Sequence, residues 1–380
     1  MKQISRAVLI LCVFFVSAAW AQQPACTHSP FWTEFHKENM ERWNLCENVL
    51  NVHNVGNLGV KWSYTTINHN FVLSSPAIVN GVVYFGSNDN NVYALDASTG
   101  AKLWNYATGE TVNSSPAVAN GVVYVGSDDA NVYALNAKTG AKLWSYAAGD
   151  IVESSPTVAN GVVYVGSGGN LNAMNLQALN ASTGAKLWSV RVGLYGTFDA
   201  SPAVANGVVY VVAGGKLSAL NVKTGAKLWS YVTQGQFDSP AVANGVVYAG
   251  GRKVFALNAK TGRRLWTYAT GNPVESSPAV ANGVVYVSSA GGGLYALNAK
   301  TGAKIWNYAN VKLAISSPAV ANGVVYIGSE DNNVYALDAK TGAELWSYTT
   351  GNTVYSSPAV SNGVVYVGSQ DGNLYTFGLK

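Results

Sequence analysis

Charge is scarce in this chain of 380 residues: Asp, Glu, Lys and Arg together make up 11%, well under the usual quarter. Lys2 and Arg6 sit at the very start, and without them the 19 acids nearly balance the remaining bases. That excludes the concentrated basic surface which nucleic-acid binding requires. Histidine is rarer still, with four in all. All of them (His28, His36, His53 and His69) precede the first full repeat described below, so no Ser/His/Asp triad can be drawn from the repeats. The three cysteines, Cys12, Cys26 and Cys46, form no CxxC, no CxxCH and no adjacent pair. A fused haem carrier and the common zinc spacings are thereby excluded. Beyond the run from Ala7 to Val16, no apolar stretch approaches the length that spans a bilayer.

What stands at the start reads as a secretory leader over residues 1–21. It has Lys2 and Arg6, the apolar run, and Ala19-Trp20-Ala21 as a small-x-small cleavage site. A membrane anchor is the alternative, and the run is short for one. An exported chain is secreted or periplasmic, and there Cys26 and Cys46 are expected to form a disulfide. A metal site built from them with His28, His36 or His53 is the competing reading. Residues 22–58 are a non-repeat segment. Ser29-Pro30 is placed to cap a short helix running to about Trp43, and the segment is expected to lie over part of the body that follows.

Residues 59–380 are repeats. The unit SSPAVANGVVYVGSDDANVYALNAKTGAKLWSYAAG, from Ser114 to Gly149, recurs eight times with its Pro at 76, 116, 156, 202, 240, 278, 318 and 358. A period near forty residues signals stacked or circular arrays. Each unit parses into four strands: SPAVA, GVVYVGS, NVYALNA and AKLWSYA. An Asn-Gly pair joins the first two, the residue pair that a two-residue type I′ hairpin demands. Such a meander is one blade of a β-propeller. GVKWSYTT, from Gly59 to Thr66, matches a fourth strand with no partners before it, and the last unit stops after its third strand at NLYTFGLK. The two fragments complete one blade, with the early strand pairing Asn373–Phe377, so the fold is all-β, an eight-bladed propeller closed by its own N-terminal strand. Trp62, Trp104, Trp144, Trp188, Trp229, Trp266, Trp306 and Trp346 mark the eight fourth strands. Their expected role is to wedge between neighbouring blades.

ALDASTGAKLW, from Ala94 to Trp104, and its counterparts resemble the tryptophan-docking repeat of the pyrroloquinoline-quinone (PQQ) propeller family. The eight-blade count and the lead-in NVHNVGNLGVKW, from Asn51 to Trp62, are similar to that family as well. The resemblance implies the propeller fold. It also implies one of two activities, because the family includes calcium- and quinone-dependent alcohol dehydrogenases and cofactor-free relatives such as the propeller that helps assemble outer-membrane barrels. The chain departs from the dehydrogenases in lacking their adjacent cysteine pair and their long pocket-building insertions.

Alternating strands put the Asn-Gly and Lys-Thr-Gly turns on one face. The second-to-third-strand turns and the crossings between blades lie on the other, here called the crossing face. Every insertion and deletion falls on the crossing face, blade 3 gaining most, and binding loops on a rigid scaffold vary in this way. Just before each Ser-Pro lies a variable position: Leu73, Asn113, Glu153, Asp199, Asp238, Glu275, Ile315 and Tyr355, with Asp238 aligned through a one-residue gap. Glycine-rich turns accompany the acids, and Arg191, Lys216, Arg252 and Lys253 interrupt the same loops. The expected ligand site is therefore Asn113, Glu153, Arg191, Asp199, Lys216, Asp238, Arg252, Lys253 and Glu275. Glu153, Asp199 and Asp238 are candidate oxygen ligands for calcium, and the bases candidate partners for a quinone's carboxylates. A solvated polar rim is the competing reading. The regular ring Lys138, Lys223, Lys260, Lys300 and Lys340 on the Lys-Thr-Gly turns is read as scaffold, a set of solvated turn residues.

Three function classes follow. The first is an exported, non-catalytic monomer that binds a protein or surface polymer through its variable face, without nucleic acid and without a membrane span. The second is a PQQ- and calcium-dependent dehydrogenase of reduced form. The third is a purely structural repeat protein.

Overall fold

The computed structural model describes residues 31–35, 41–169, 173–194, 198–234, 238–312 and 315–380. The predicted leader and Cys26 lie outside them. Among the described residues eight antiparallel meanders stand side by side as blades. Blade 1 consists of Ala77–Val79, Val82–Gly86, Asn91–Asp96 and Lys102–Ala107, from the axis outward. Blades 2 to 7 repeat this plan, starting at Ala117, Thr157, Ala203, Ala241, Ala279 and Ala319. Blade 8 is Ala359–Ser361, Val364–Gly368 and Asn373–Leu379, with Leu58–Thr65 as its outer strand. The borrowed strand pairs antiparallel, Thr65 opposite Asn373 and Val60 opposite Phe377. No helix among the described residues is long and apolar enough to cross a membrane.

Local chemistry explains the hairpins. Asn120 and Gly121 both take positive φ, 51° and 77°, the pairing that a type I′ turn needs and that other residues resist. The third turn is fixed by its own side chains. Asn136 accepts the backbone N–H groups of Lys138 and Thr139 through Oδ1, each at 3.0 Å, an Asx-type turn that ends with Gly140 at φ 71°.

Blades are joined by one contact repeated around the ring. Trp104 lays its indole on Gly140 of the next blade, where an added Cβ would come within 2.8 Å of the ring. Its Nε1–H donates to the Ala137 carbonyl at 3.0 Å, and the Tyr84 hydroxyl donates to the same oxygen at 3.1 Å. Each fourth-strand Trp makes this bond to the following blade. The circuit closes through the borrowed strand, Trp346 donating to Leu58 at 3.2 Å and Trp62 to Ala97 at 3.1 Å. At the axis a second ring runs in parallel. The backbone N–H of the Ser before each Pro donates to the hydroxyl of its neighbour, from Ser75 to Ser115 at 2.9 Å and finally from Ser357 back to Ser75 at 2.9 Å.

The non-repeat segment departs from expectation. Its described residues form no α-helix, only the single 3-10 turn Val55–Asn57, and residues 29–30 and 36–40 of the expected helix lie outside the described residues. Residues 32–34 and 41–44 run inside the axis, and from Glu47 on the segment lies over the Asn-Gly turns of blades 7 and 8, where Asn322 Nδ2 donates to the Leu50 carbonyl at 2.9 Å. The innermost strand of each blade has a free edge at the axis, with backbone groups that must be satisfied. The segment meets these edges in blade order. Trp32 pairs with Ile78 of blade 1, and the Thr33 carbonyl accepts Val118 N–H of blade 2 at 2.8 Å. Glu34 accepts Val158 N–H of blade 3 at 3.1 Å, and the Glu41 carbonyl accepts Val280 N–H of blade 6 at 2.8 Å. Trp43–Asn44 then runs parallel to blade 7, opposite Val320–Ala321.

Arg42 anchors this plug. It is fully buried, with Nε donating to Pro318 O at 2.9 Å and Nη2 to Pro358 O at 3.2 Å, thereby tying blade 7 to blade 8. Nη1 donates to the Phe35 carbonyl, and the guanidinium lies 4.5 Å from the Phe35 ring centroid and 5.5 Å from that of Trp32, within cation–π range. Burial lowers its pKa to about 9, so it stays cationic at neutral pH. The segment leaves on the Asn-Gly face, where Glu47 Oε2 accepts Gly363 N–H at 3.0 Å.

Two stability predictions follow from these contacts. Trp266→Ala, at a nearly buried site, is expected to cost about 3–5 kcal/mol in urea unfolding, and Trp266→Phe about 1 kcal/mol. Arg42→Ala strands the Pro318 and Pro358 carbonyls and is expected to cost about 3 kcal/mol or more, read as a lower urea midpoint.

Candidate site at the channel mouth

On the crossing face the plug leaves a cavity of about 250 Å³, floored by Phe35 and the serine ring. The position three residues before each Pro forms its wall: Leu73, Asn113, Glu153, Asp199, Glu275, Ile315 and Tyr355, the residue after it being Ser in all of these but blade 4, which has Ala200. Outside blade 4 the crossings hold these side chains there because the first Ser of each Ser-Ser pair locks the backbone. The Ser74 hydroxyl accepts Gly86 N–H at 3.0 Å, and Ser114 accepts Gly126 N–H at 3.1 Å.

The acids form two groups. In the first, Asn113 Nδ2 donates to Asp128 Oδ2 at 3.2 Å and to Glu153 Oε1 at 3.4 Å, and Glu153 shares a side-chain hydrogen bond with Asp199. Burial, and after it the bond to Asp199, raises the Glu153 pKa. Burial likewise lifts Asp128 to about 6, against the stabilising bond from Thr111. In the second, the Tyr355 hydroxyl donates to Glu330 Oε1 at 2.6 Å. Glu275 is raised by burial and by the nearby Glu330. A carboxyl sharing a proton with its neighbour is what two acids do when water is partly excluded.

Of the predicted site residues, the structure brings together Asn113, Glu153, Asp199 and Glu275. The bases do not join them. Arg191 and Lys216 line clefts of about 370 and 400 Å³ between blades 3 and 4, and Arg252 and Lys253 are exposed on the blade 5 turn. Asp238 does not face the cavity either. It occupies the place of the first Ser, fully buried, and its Oδ2 accepts Gly250 N–H at 2.5 Å as a serine does elsewhere. The one-residue gap that aligned it with Glu153 was misplaced, since blade 5 shortens on the far side of this residue. The proposed calcium set Glu153, Asp199 and Asp238 is therefore split. Among the described residues no group of three His, Cys, Asp or Glu is placed to hold a metal ion.

Sequence reasoning missed the serine pairs, although Ser precedes Pro in all eight units. It also missed the turn Asp-x-Asn-x-Tyr of blades 1, 2, 7 and 8. There Asp129 accepts the Tyr133 hydroxyl at 2.6 Å and Gly109 N–H of the crossing at 2.7 Å. Blades 3 to 6 lack this brace and carry the glycine-rich turns, so the ring has a braced half and an open half.

A family model described as outer membrane protein assembly factor BamB (PQQ_2) matches residues 109–239, 233–318 and 309–379. The chain belongs to this PQQ-repeat propeller family. A second model, for the β-propeller domain of glucose, ethanol and alcohol dehydrogenases, matches residues 32–114. The dehydrogenase subunit of quinone alcohol dehydrogenase from Gluconobacter oxydans (strain 621H) is 34% identical over 79 residues, 21% of this PQQ-repeat chain and 10% of that subunit. The chain thus matches about a tenth of that relative's length. Among solved structures, a europium-containing methanol dehydrogenase superposes with a TM-score of 0.80 at 17% identity, covering 92% of this chain and 98% of that one. BamB from Moraxella catarrhalis superposes with a TM-score of 0.70 at 20% identity, covering 85% and 98%. At such identities the likeness shows the fold alone.

Asp238 supplies a pH test. Burial raises its carboxyl from an ordinary 3.8 to about 7. The native state then holds a proton that the unfolded chain releases, so stability falls as pH rises between about 4 and 7. Asp238→Ser restores the usual acceptor for Gly250. It is expected to stabilise by about 1–3 kcal/mol at pH 8 and to lose most of that gain near pH 4. Parallel denaturation curves for the two proteins at all pH values would reject the assignment.

Proposed function

We propose that the protein is an exported binding scaffold that works through its crossing face without catalysis. One observation carries this reading: the axial cavity has Glu153, Asp199 and Glu275 in its wall, contains no lysine or arginine among its described lining, and is floored by the chain's own Phe35. A polycarboxylate quinone needs cationic partners at that place, and the candidate bases Arg191, Lys216, Arg252 and Lys253 lie elsewhere. The residues present do not fit the quinone, so no redox step is derived through it. The small volume and the plug are consistent with a face that receives a partner's side chain, above all a cationic one, rather than an enclosed substrate. Insertions confined to that face, especially the long blade 3 hairpin of Ala173–Asn180 and Lys186–Leu194, suit a protein or surface polymer as partner. A BamB among the structural neighbours supports a scaffold role.

Export rests on the leader-like residues 1–21, with a secreted or periplasmic destination. Cys46 is disulfide-bonded, which supports pairing with Cys26 in an oxidising compartment. The dehydrogenase reading is favoured by the relative from Gluconobacter oxydans, and one experiment separates the two. PQQ with Ca²⁺ is added to wild type and to Glu153→Gln/Asp199→Asn, and melting temperature and dye-linked alcohol oxidation are recorded. The scaffold reading expects no oxidation and a melting temperature unmoved by the quinone in both proteins. Quinone-dependent turnover lost in the variant would establish the dehydrogenase instead.

A further inference from the structure

We propose that the Asn-Gly face, opposite the acidic cavity, docks electrostatically on an anionic lipid bilayer. The near-neutral balance of the repeats conceals a separation of charge between the two faces. On the Asn-Gly face the turn lysines Lys138, Lys223, Lys260, Lys300 and Lys340 are all exposed. The outer strands open on that face with Lys102, Lys142, Lys186, Lys227, Arg264 and Lys304, exposed as well. Four carboxylates of the described residues accompany them, and each already has a local task. Glu47 is buried and accepts the backbone N–H groups of Gly363, Val49 and Leu50. Asp96 and Asp338 accept turn N–H groups, at 2.9 Å from Thr99 and 2.8 Å from Thr341, and Glu344 accepts the Tyr308 and Ser347 hydroxyls. The crossing face carries most of the acids instead, among them Asp89, Glu110, Asp129, Asp150, Asp331 and Asp371. The faces are separated by strands of five or six residues, roughly 17–20 Å. That exceeds the Debye length of about 8 Å at physiological salt, so each face presents its own sign to a large partner.

The geometry favours a bilayer over a soluble acidic polymer. The third turn has the same length in every complete repeat, which sets the lysines at one level, as a flat charged surface requires. Beside them each of six outer strands exposes an aliphatic residue next to its base: Leu103, Leu143, Leu187, Leu228, Leu265 and Ile305, between 42% and 52% exposed. Basic side chains interleaved with apolar ones suit the headgroup boundary, and a soluble polyanion has no use for the apolar part. Docking in this sense turns the acidic cavity toward the aqueous side, where a partner reaches it.

Flotation of the protein with vesicles tests this. Binding is expected on mixed phosphatidylglycerol–phosphatidylcholine vesicles at low salt, and release is expected at high salt or on pure phosphatidylcholine. Each lysine near the surface changes partitioning about fivefold. Replacing Lys138, Lys223, Lys260, Lys300 and Lys340 by Gln together should weaken binding by about a hundredfold or more, with an unchanged melting temperature. Lys216→Gln/Lys253→Gln, on the crossing face, should bind as wild type. Leu103→Ser/Leu143→Ser/Leu187→Ser should weaken vesicle binding and leave retention on heparin unaltered. No flotation at low salt, or equal binding by the five-lysine variant, overturns the proposal. Vesicle binding indifferent to the leucine variant, with heparin bound as tightly, replaces the bilayer by a soluble acidic polymer.

Discussion

The indole seated on the next blade's glycine is the contact on which the rest of the structure depends. A four-stranded blade buries little by itself, and its two broad faces need neighbours. The Trp–Gly–carbonyl contact supplies both packing and direction, because one blade gives the ring and the N–H while the next gives a flat approach and an oxygen. Repeated without a gap it leaves only one solution, a closed circle. Leu58–Thr65 is needed because a circle has no place for an unpaired end. Trp346 reaches Leu58 as Trp104 reaches Ala137, so the seam is built like every other junction.

Closure creates a new problem at the axis, where eight innermost strands turn free edges toward one another. The serine ring answers part of it, and residues 31–35 and 41–44 answer more by meeting the edges of blades 1, 2, 3, 6 and 7 in that order. Arg42 suits the centre because a guanidinium carries several donors in one plane, while the surrounding strand starts offer carbonyls. A cation held by carbonyl dipoles and aromatic faces needs less solvation than an ammonium would. The plug also decides what the mouth can do. By filling the axis it reduces the opening to a shallow cup whose chemistry is set by one side chain per blade.

The repeats themselves divide the two faces. Turns on the Asn-Gly face are constrained by type I′ geometry and by the Asx turn before Gly, so their lysines recur in step. Loops on the crossing face are held less uniformly. Blades 1, 2, 7 and 8 use the Asp–Tyr brace, and blades 3 to 6 have lost it, so variation, insertion and the acidic wall gather where the brace is missing. One scaffold thus presents a regular basic side and an individual acidic side.

How far the chain could be read without coordinates follows the range of the forces involved. Strands, turns, blade count and the borrowed strand were legible, because each rests on period, on Asn-Gly dihedrals or on a fragment's match to its repeat. Asn113, Glu153, Asp199 and Glu275 were legible as one wall, since equal spacing from a fixed Ser-Pro carries them to equivalent points. Asp238 was not, because in a shortened blade only the hydrogen bond to Gly250 reveals that it stands in for a serine. Nor was the course of residues 31–35 and 41–47, which have no repeat to compare with and whose partners lie about three hundred residues away. Local sequence therefore determined the blade and the number of blades. The tertiary structure alone decided what fills the axis and which charges share a cavity, because those are settled by free strand edges and burial that exist only once the ring has closed.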